Sequence, residues 1–382
     1  MLSKFFLILL FFCVEFSLGN HVYPMDASME APTSLVSLSG KLASLKNSMR
    51  SLHDNLTRFG NQLGLLADSL SNEKLDFSKT ANLSQDEIQK KIDQEAATLK
   101  ILNITGCKEI QTLNLSACKN LEELFAGGCV NLKSLKISKN ATFKDLRLRD
   151  CTSLNQCDFN DLLPVINNSA NLRILCLDNN LFLESLDLSK SPQLKYLLLG
   201  GCLNLENLEI HQNVTFKDLR LDYCMKLNQE SLKKLLPVIQ NSKNLEEFCF
   251  LSAQNLMLLD LSNHKALRTL FLAFSDISTI NLQNNQNLTR LSFTGCKNLK
   301  TVANLNSCTK LEVLSFADCA ELDRVGWWPS NYSTLNKYIL PNLPTSLTSL
   351  DLRGCKNVTK EVIAELRKKL PQQSCNIIGF EE

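Results

Sequence analysis

Residues 140–151 read NATFKDLRLRDC, and residues 213–224, 73 positions on, read NVTFKDLRLDYC. The likeness continues: CTSLNQCDFNDLLPVINNSANLRILCL from Cys151 is answered by CMKLNQESLKKLLPVIQNSKNLEEFCF from Cys224. Two long copies at one fixed offset mark a chain built by stacking repeats, in which each unit buries its apolar face only against its neighbours.

A shorter period runs inside that unit. Leu102, Leu113, Leu124, Leu135 and Leu146 recur every 11 residues, mostly as LxxLxLxxC or LxxLxLxxN. Alternate side chains of a strand share a face, so the two close leucines point inward together. The Cys or Asn that follows stands where the chain turns in, and a thiol or an amide can fill that bend. On these residues the chain resembles the leucine-rich repeat family in its cysteine-containing form, over roughly residues 99–375. The resemblance implies an α/β solenoid, a horseshoe with parallel strands lining its concave face, and protein–protein recognition on that face.

A coil of 11 residues is too short for known leucine-rich turns, so two steps make one coil of 22. The interval from Leu146 to Leu175 is 29, and its extra length predicts a helix on the return path at 156–167, with a copy at 229–241. That sets the phase. Concave strands centre on Leu102, Leu124, Leu146, Leu175, Leu197, Leu219, Phe248, Leu270, Leu291 and Leu314, and the steps at Leu113 and Leu208 fall on the convex return. Pro164 and Pro237 take equivalent places in the two helices and are expected to shorten or kink them.

The ends read differently. Residues 1–19 look like a secretory signal: Lys4, an apolar run from Phe5 to Phe16, then Ser17-Leu18-Gly19. That run is too short to cross a bilayer and no second one follows, so no membrane span is expected. Residues 30–70 read as a coiled-coil-like α-helical segment, with an apolar seam from Leu35 through Leu42, Met49, Leu56 and Leu63 to Leu70. The stretch 35–70 is a candidate for homo-oligomer formation, and folding back on the solenoid is the alternative. A linker is expected at 71–83 and a cap helix at 84–98, opened by a Ser84–Glu87 capping box. Repeats fill 99–355 with an irregular insertion at 326–346, and a cap helix and tail occupy 356–382.

The chemistry is sparse. A formal charge of +2 argues against nucleic acid as a partner. Of the 15 cysteines, Cys107, Cys118, Cys129, Cys151, Cys202, Cys224, Cys296, Cys319 and Cys355 hold the turn position, which favours packed free thiols over a disulfide ladder. No C-x-x-C pair suggests a metal. Only four histidines occur, and His264, at a turn, reads as a packed residue. Cys157, Cys176 and Cys249 lie off the turn series but have no activating base in view. No hydrolase, metalloprotease, Walker or dinucleotide signature occurs. Neither enzyme activity nor a cofactor is expected. Asn140 and Asn213, each within a glycosylation sequon, are expected at buried turns.

Binding is the better reading. The residue between the two strand leucines is Asn103, Phe125, Arg147, Cys176, Leu198, Arg220, Cys249, Phe271, Ser292 and Ser315 in turn, and the preceding row holds Glu123, Asp145, Tyr196, Asp218, Glu247 and Arg290. Aromatic residues and arginines anchor protein interfaces. The expected partner-binding set is Glu123, Phe125, Asp145, Arg147, Tyr196, Leu198, Asp218, Arg220 and Phe271, with Trp327 and Trp328 of the insertion. The alternating Arg and Asp residues are expected to pair across strands. The resulting expectation is a secreted, non-catalytic interaction protein, a bacterial host-directed effector or surface protein. The alternative is an adaptor, the substrate-recognition subunit of a ubiquitin-ligase-like assembly, since cysteine-rich repeats of this form resemble those of F-box proteins. No F-box-like segment is legible in residues 30–70, and the signal opposes it.

Overall fold

The computed structural model describes residues 73–79, 83–253, 256–322, 335, 339–370 and 375–379. The signal, the coiled-coil-like segment and Trp327 and Trp328 lie outside the described residues.

Each coil contributes one three-residue strand to a parallel sheet of thirteen strands. The inward leucine of each strand is paired with that of the next: Leu102 with Leu124, Leu124 with Leu146, Leu146 with Leu175, Leu175 with Leu197. The run continues through Leu219, Phe248, Leu270, Leu291 and Leu314. These ten centres are the ones the sequence phase requires, and all are fully buried. Three further strands extend the sheet, centred on Leu75, Leu350 and Ile377. The architecture is a leucine-rich repeat solenoid.

After eleven of the thirteen strands of this sheet the chain reverses inward, and one residue carries that reversal with a positive φ. It is the residue just before the buried turn residue: Asp150, Asn179, Tyr223, Ser252, Phe274 and Asp318, with glycine in five other coils. The residue after it fills the bend. Cys129 Sγ donates to the Ile104 carbonyl at 3.2 Å, Cys151 to Ala126 at 3.2 Å, Cys202 to Leu177 at 3.1 Å and Cys224 to Leu199 at 3.2 Å. Each thiol therefore satisfies a carbonyl of the coil before it, which a buried backbone acceptor requires. All fourteen described cysteines are free thiols.

The opposite face is broken into three short parallel sheets of two, two and three strands. Two helices occupy the breaks, α2 at Gln156–Asn167 and α3 at Gln229–Asn241, after α1 at Gln85–Glu95. Asn155 and Asn228 cap α2 and α3 through their side-chain oxygens. At their far ends, Ser169 and Ser242 each accept a buried backbone N–H, from Phe143 and Phe216, at 2.9 Å. Pro164 and Pro237 do not end their helices. Asn160, whose carbonyl loses a donor to Pro164, lies exposed, so water can supply the missing bond.

Several expectations need correction. The stretch 71–83 is no plain linker: Lys74–Asp76 pairs with Ile101–Asn103 and starts the sheet. Asn140 and Asn213 are exposed, and the buried turn residues are Ala141 and Val214. Both turns hold one more residue than the turn at Cys118, since Ala141 donates to Ser138 and Val214 to His211 where Cys118 donates to Leu115. A strict step of 11 therefore lands one position early. The insertion at 326–346 leaves the sheet unbroken, because Leu314 still pairs with Leu350. Of its described residues, Leu335, Ile339, Leu340 and Leu343 are buried.

The ends of the core are covered. The capping box of Ser84 and Glu87 opens α1, which buries Ile88 and Ile92 on the first coil. At the far end α4, Lys360–Lys369, buries Ile363 and Leu366, and the tail beyond it adds the last strand, Asn376–Ile378.

Candidate interaction surface

A parallel sheet with one face on the core sends every second side chain outward, and the in-register pairing sets these side chains in rows. The middle row reads Asn103, Phe125, Arg147, Cys176, Leu198, Arg220, Cys249, Phe271, Ser292 and Ser315. Within it an apolar residue, an arginine and a cysteine recur every third coil: Phe125-Arg147-Cys176, Leu198-Arg220-Cys249, then Phe271. Strands stand about 4.8 Å apart, so the apolar stations Phe125, Leu198 and Phe271 are spaced by about 14 Å. All three are half-buried.

The charges are tied down locally. Arg147 makes a bidentate pair with Asp145 at 2.9 and 2.8 Å, and its guanidinium carbon lies 5.2 Å from the centroid of the Phe125 ring. Arg220 makes the same fork on Asp218 at 3.1 and 3.0 Å and also bonds Glu247 of the next strand. These acids precede their arginines by two residues on one strand, so the expected cross-strand pairing holds only for Glu247. Residues i and i+2 share a face, and an arginine is long enough to fold back along it.

Burial acts on the acids of this face. It pushes the carboxyl of Asp218 up to about 6, against the pull of Arg220. It also raises Asp178 and Asp222, which stand two residues beyond the ends of their strands. The thiols of Cys176 and Cys249, both buried in the middle row, are pushed up to about 12 chiefly by burial. A thiol so held stays protonated at neutral pH and is a poor nucleophile. Cys157, by contrast, is exposed at the start of α2. His264 is buried, its Nε2 donating to the Ile239 carbonyl at 2.8 Å, which fixes it as a packed turn residue.

The structure thus gathers Glu123, Phe125, Asp145, Arg147, Tyr196, Leu198, Asp218, Arg220 and Phe271 on one face, with Asp145 largely covered by its arginine. Among the described residues, no group of three His, Cys, Asp or Glu stands placed to hold a metal ion. None of their helices is long and apolar enough to cross a membrane. Sequence reasoning missed a second set of outward residues on the turns beyond the strands: Leu181, Phe182, Leu203, Tyr223 and Met225, all exposed. The available signal was an apolar residue straight after the turn residue in three successive coils.

No family model and no curated protein matches the chain. Among solved structures it is similar to the functional domain of InlJ from Listeria monocytogenes, which includes a cysteine ladder, with 16% identity, 74% of this chain and 68% of that one covered, and a TM-score of 0.32. It is similar to a leucine-rich repeat protein of Leptospira interrogans at 17% identity, over 75% of this chain and 97% of that one, with a TM-score of 0.27. A third likeness is to TLR13 in its complex with ssRNA13, at 18% identity over 69% of this chain and 47% of that one, with a TM-score of 0.22.

Proposed function

Taking the leucine-rich repeat solenoid as premise, we propose that this protein is a secreted, non-catalytic recognition protein that holds a protein partner along its thirteen-stranded face. The observation that carries the reading is the row Phe125, Leu198 and Phe271, three apolar stations at one register with an arginine between each pair. The core does not use these side chains, which point away from the buried leucines. Large apolar and arginine side chains presented together are the chemistry of protein interfaces. The acids of the neighbouring row disfavour a phosphate backbone, so the partner is protein rather than nucleic acid.

The test uses the full chain and a Phe125→Ala/Phe271→Ala variant. Both are cross-linked in the fluid the protein is exported into, and captured partners are identified by mass. A partner held by the parent chain and lost by the folded variant supports the reading. A variant that keeps every partner overturns the assignment of this face.

Export through residues 1–19 belongs to the same proposal, as does delivery towards a host cell if the source is bacterial. Sequencing the mature N-terminus tests the first, and a start at Met1 removes it. Self-association through residues 35–70 is likewise proposed, with light scattering of the full chain against a deletion of that stretch as its check.

A further inference from the structure

The exposed apolar residues beyond the strands form a stripe. Leu181, Leu203 and Met225 each follow the buried turn residue of successive coils, Asn180, Cys202 and Cys224, and are 38%, 43% and 48% exposed. Phe182 and Tyr223 stand on the same turns and are exposed as well. The equivalent place is Lys108, Thr152, Lys297 or Lys356 in other coils, so the turn itself does not demand an apolar residue. The core beneath is already filled by Leu183, Leu205 and Leu227. Apolar side chains gathered in this way, rather than scattered singly, mark an interaction site.

The sheet-side edge of the same three coils carries Asp178, Gly200 and Asp222. Gly200 stands between two carboxylates: a Cβ there would stand 3.3 Å from Asp178 Oδ1 and 3.7 Å from Asp222 Oδ2, so no side chain separates them. Asp178 accepts the Gly200 N–H at 2.7 Å and the Cys176 thiol at 3.5 Å, Asp222 accepts the N–H of Leu251 at 3.4 Å, and among the described residues neither is ion-paired. Two carboxylates that burial disfavours thus flank Gly200 on the coils that carry the apolar stripe. An incoming ammonium or guanidinium group would relieve both.

We propose that this rim receives an amphipathic helix of a protein partner. Its leucine-type side chains lie along Leu181, Leu203 and Met225, and a lysine or arginine reaches the two carboxylates that flank Gly200. Three coils separated by two steps of about 4.8 Å give a stripe about 10 Å long, which matches positions i, i+3 or i+4, and i+7 of a helix rising about 1.5 Å per residue. The inference rests on the reading of the chain as a recognition protein, but it uses turn residues rather than strand residues.

The probe is a synthetic leucine–lysine amphipathic helical peptide carrying a benzophenone, applied to the full chain, with a leucine–glutamate peptide as control. Cross-links should map to residues 178–226. Labelling should fall about tenfold in Leu203→Asp/Met225→Asp and about threefold in Asp222→Asn, and stay unchanged in Phe125→Ala/Phe271→Ala. Equal labelling by the glutamate peptide, cross-links spread over other coils, or full labelling of the folded Leu203→Asp/Met225→Asp variant would each overturn it. A natural partner lost by the face variant but kept by the rim variant would leave the broader reading standing while the rim fails. The opposite pattern would do the reverse.

Discussion

Asn180 Nδ2 donates to the carbonyl oxygen of Leu148 at 2.9 Å, and one coil later the Cys202 thiol makes the equivalent bond to Leu177 at 3.1 Å. An amide and a thiol therefore perform one task, satisfying a buried carbonyl of the preceding coil. Asn180→Ala removes that donor and should cost about 1–3 kcal/mol, seen as a lower urea midpoint. Asn180→Cys should be nearly neutral, because it restores the neighbours' solution and removes an amide oxygen that has no partner. Equal losses in the two variants would mean that the bond contributes nothing.

Thiols used in this way must stay protonated. Burial pushes Cys129, Cys151 and Cys202 up to about 12 from an ordinary 9.0. A folded-state pKa raised above the unfolded one contributes stability that is complete below the unfolded value and is lost as pH rises through the folded one. Unfolding midpoints should therefore hold steady to about pH 8 and fall between about 9 and 12. In the folded chain Cys157, the exposed thiol among those described, should react first with a thiol reagent, the part-buried Cys107 and Cys375 more slowly, and the buried ones only on denaturation. Bridged cysteines would show neither behaviour.

Much of this was legible in the leucine spacing, because the two helices break the 11-residue period on one side only and so tell the two faces apart. The rows of outward residues then follow from strand alternation. What stayed hidden depends on departures of a single residue. Leu75 stands as one leucine in a three-residue strand between charged neighbours, with no partner 11 residues away. Asn140 and Asn213 miss the buried turn by one inserted position. The forks of Arg147 and Arg220 on acids of their own strands depend on side-chain rotamers, which no spacing encodes. The stripe of Leu181, Leu203 and Met225 was present in the sequence but resembled ordinary turn residues until their exposure was known.

Asp218 tests the electrostatics of the sheet face. Its carboxyl is pushed up to about 6 by burial, with Arg220 pulling the other way. A carboxyl raised above its unfolded 3.8 contributes stability that is present below that value and lost as pH rises through about 6. Asp218→Asn should therefore flatten the change in unfolding midpoint between pH 5 and 7.5 relative to the parent chain. A direct check is the carboxyl carbon shift of Asp218, which should titrate near 6; a midpoint at or below 4 would show that Arg220 outweighs burial.

The positive-φ position separates backbone strain from collision. Gly106 and Gly201 have nearly equal φ values, 77° and 76°, but differ in what surrounds them. A Cβ on Gly106 meets nothing within 4 Å, whereas one on Gly201 would stand 2.1 Å from Asn179 Oδ1. Asn179 cannot swing aside freely, since its amide donates to Asp150 at 2.6 Å. Gly106→Ala should cost only the left-handed backbone penalty, about 1–2 kcal/mol. Gly201→Ala should cost that and the broken Asn179–Asp150 bond besides, about 1 kcal/mol more. Made in an Asn179→Ala background, Gly201→Ala should cost only the left-handed backbone penalty, because the obstacle and its bond are already gone. If the two single variants unfold at the same urea concentration, the collision is relieved by a small shift of the coil, and the left-handed backbone alone sets the cost at both sites.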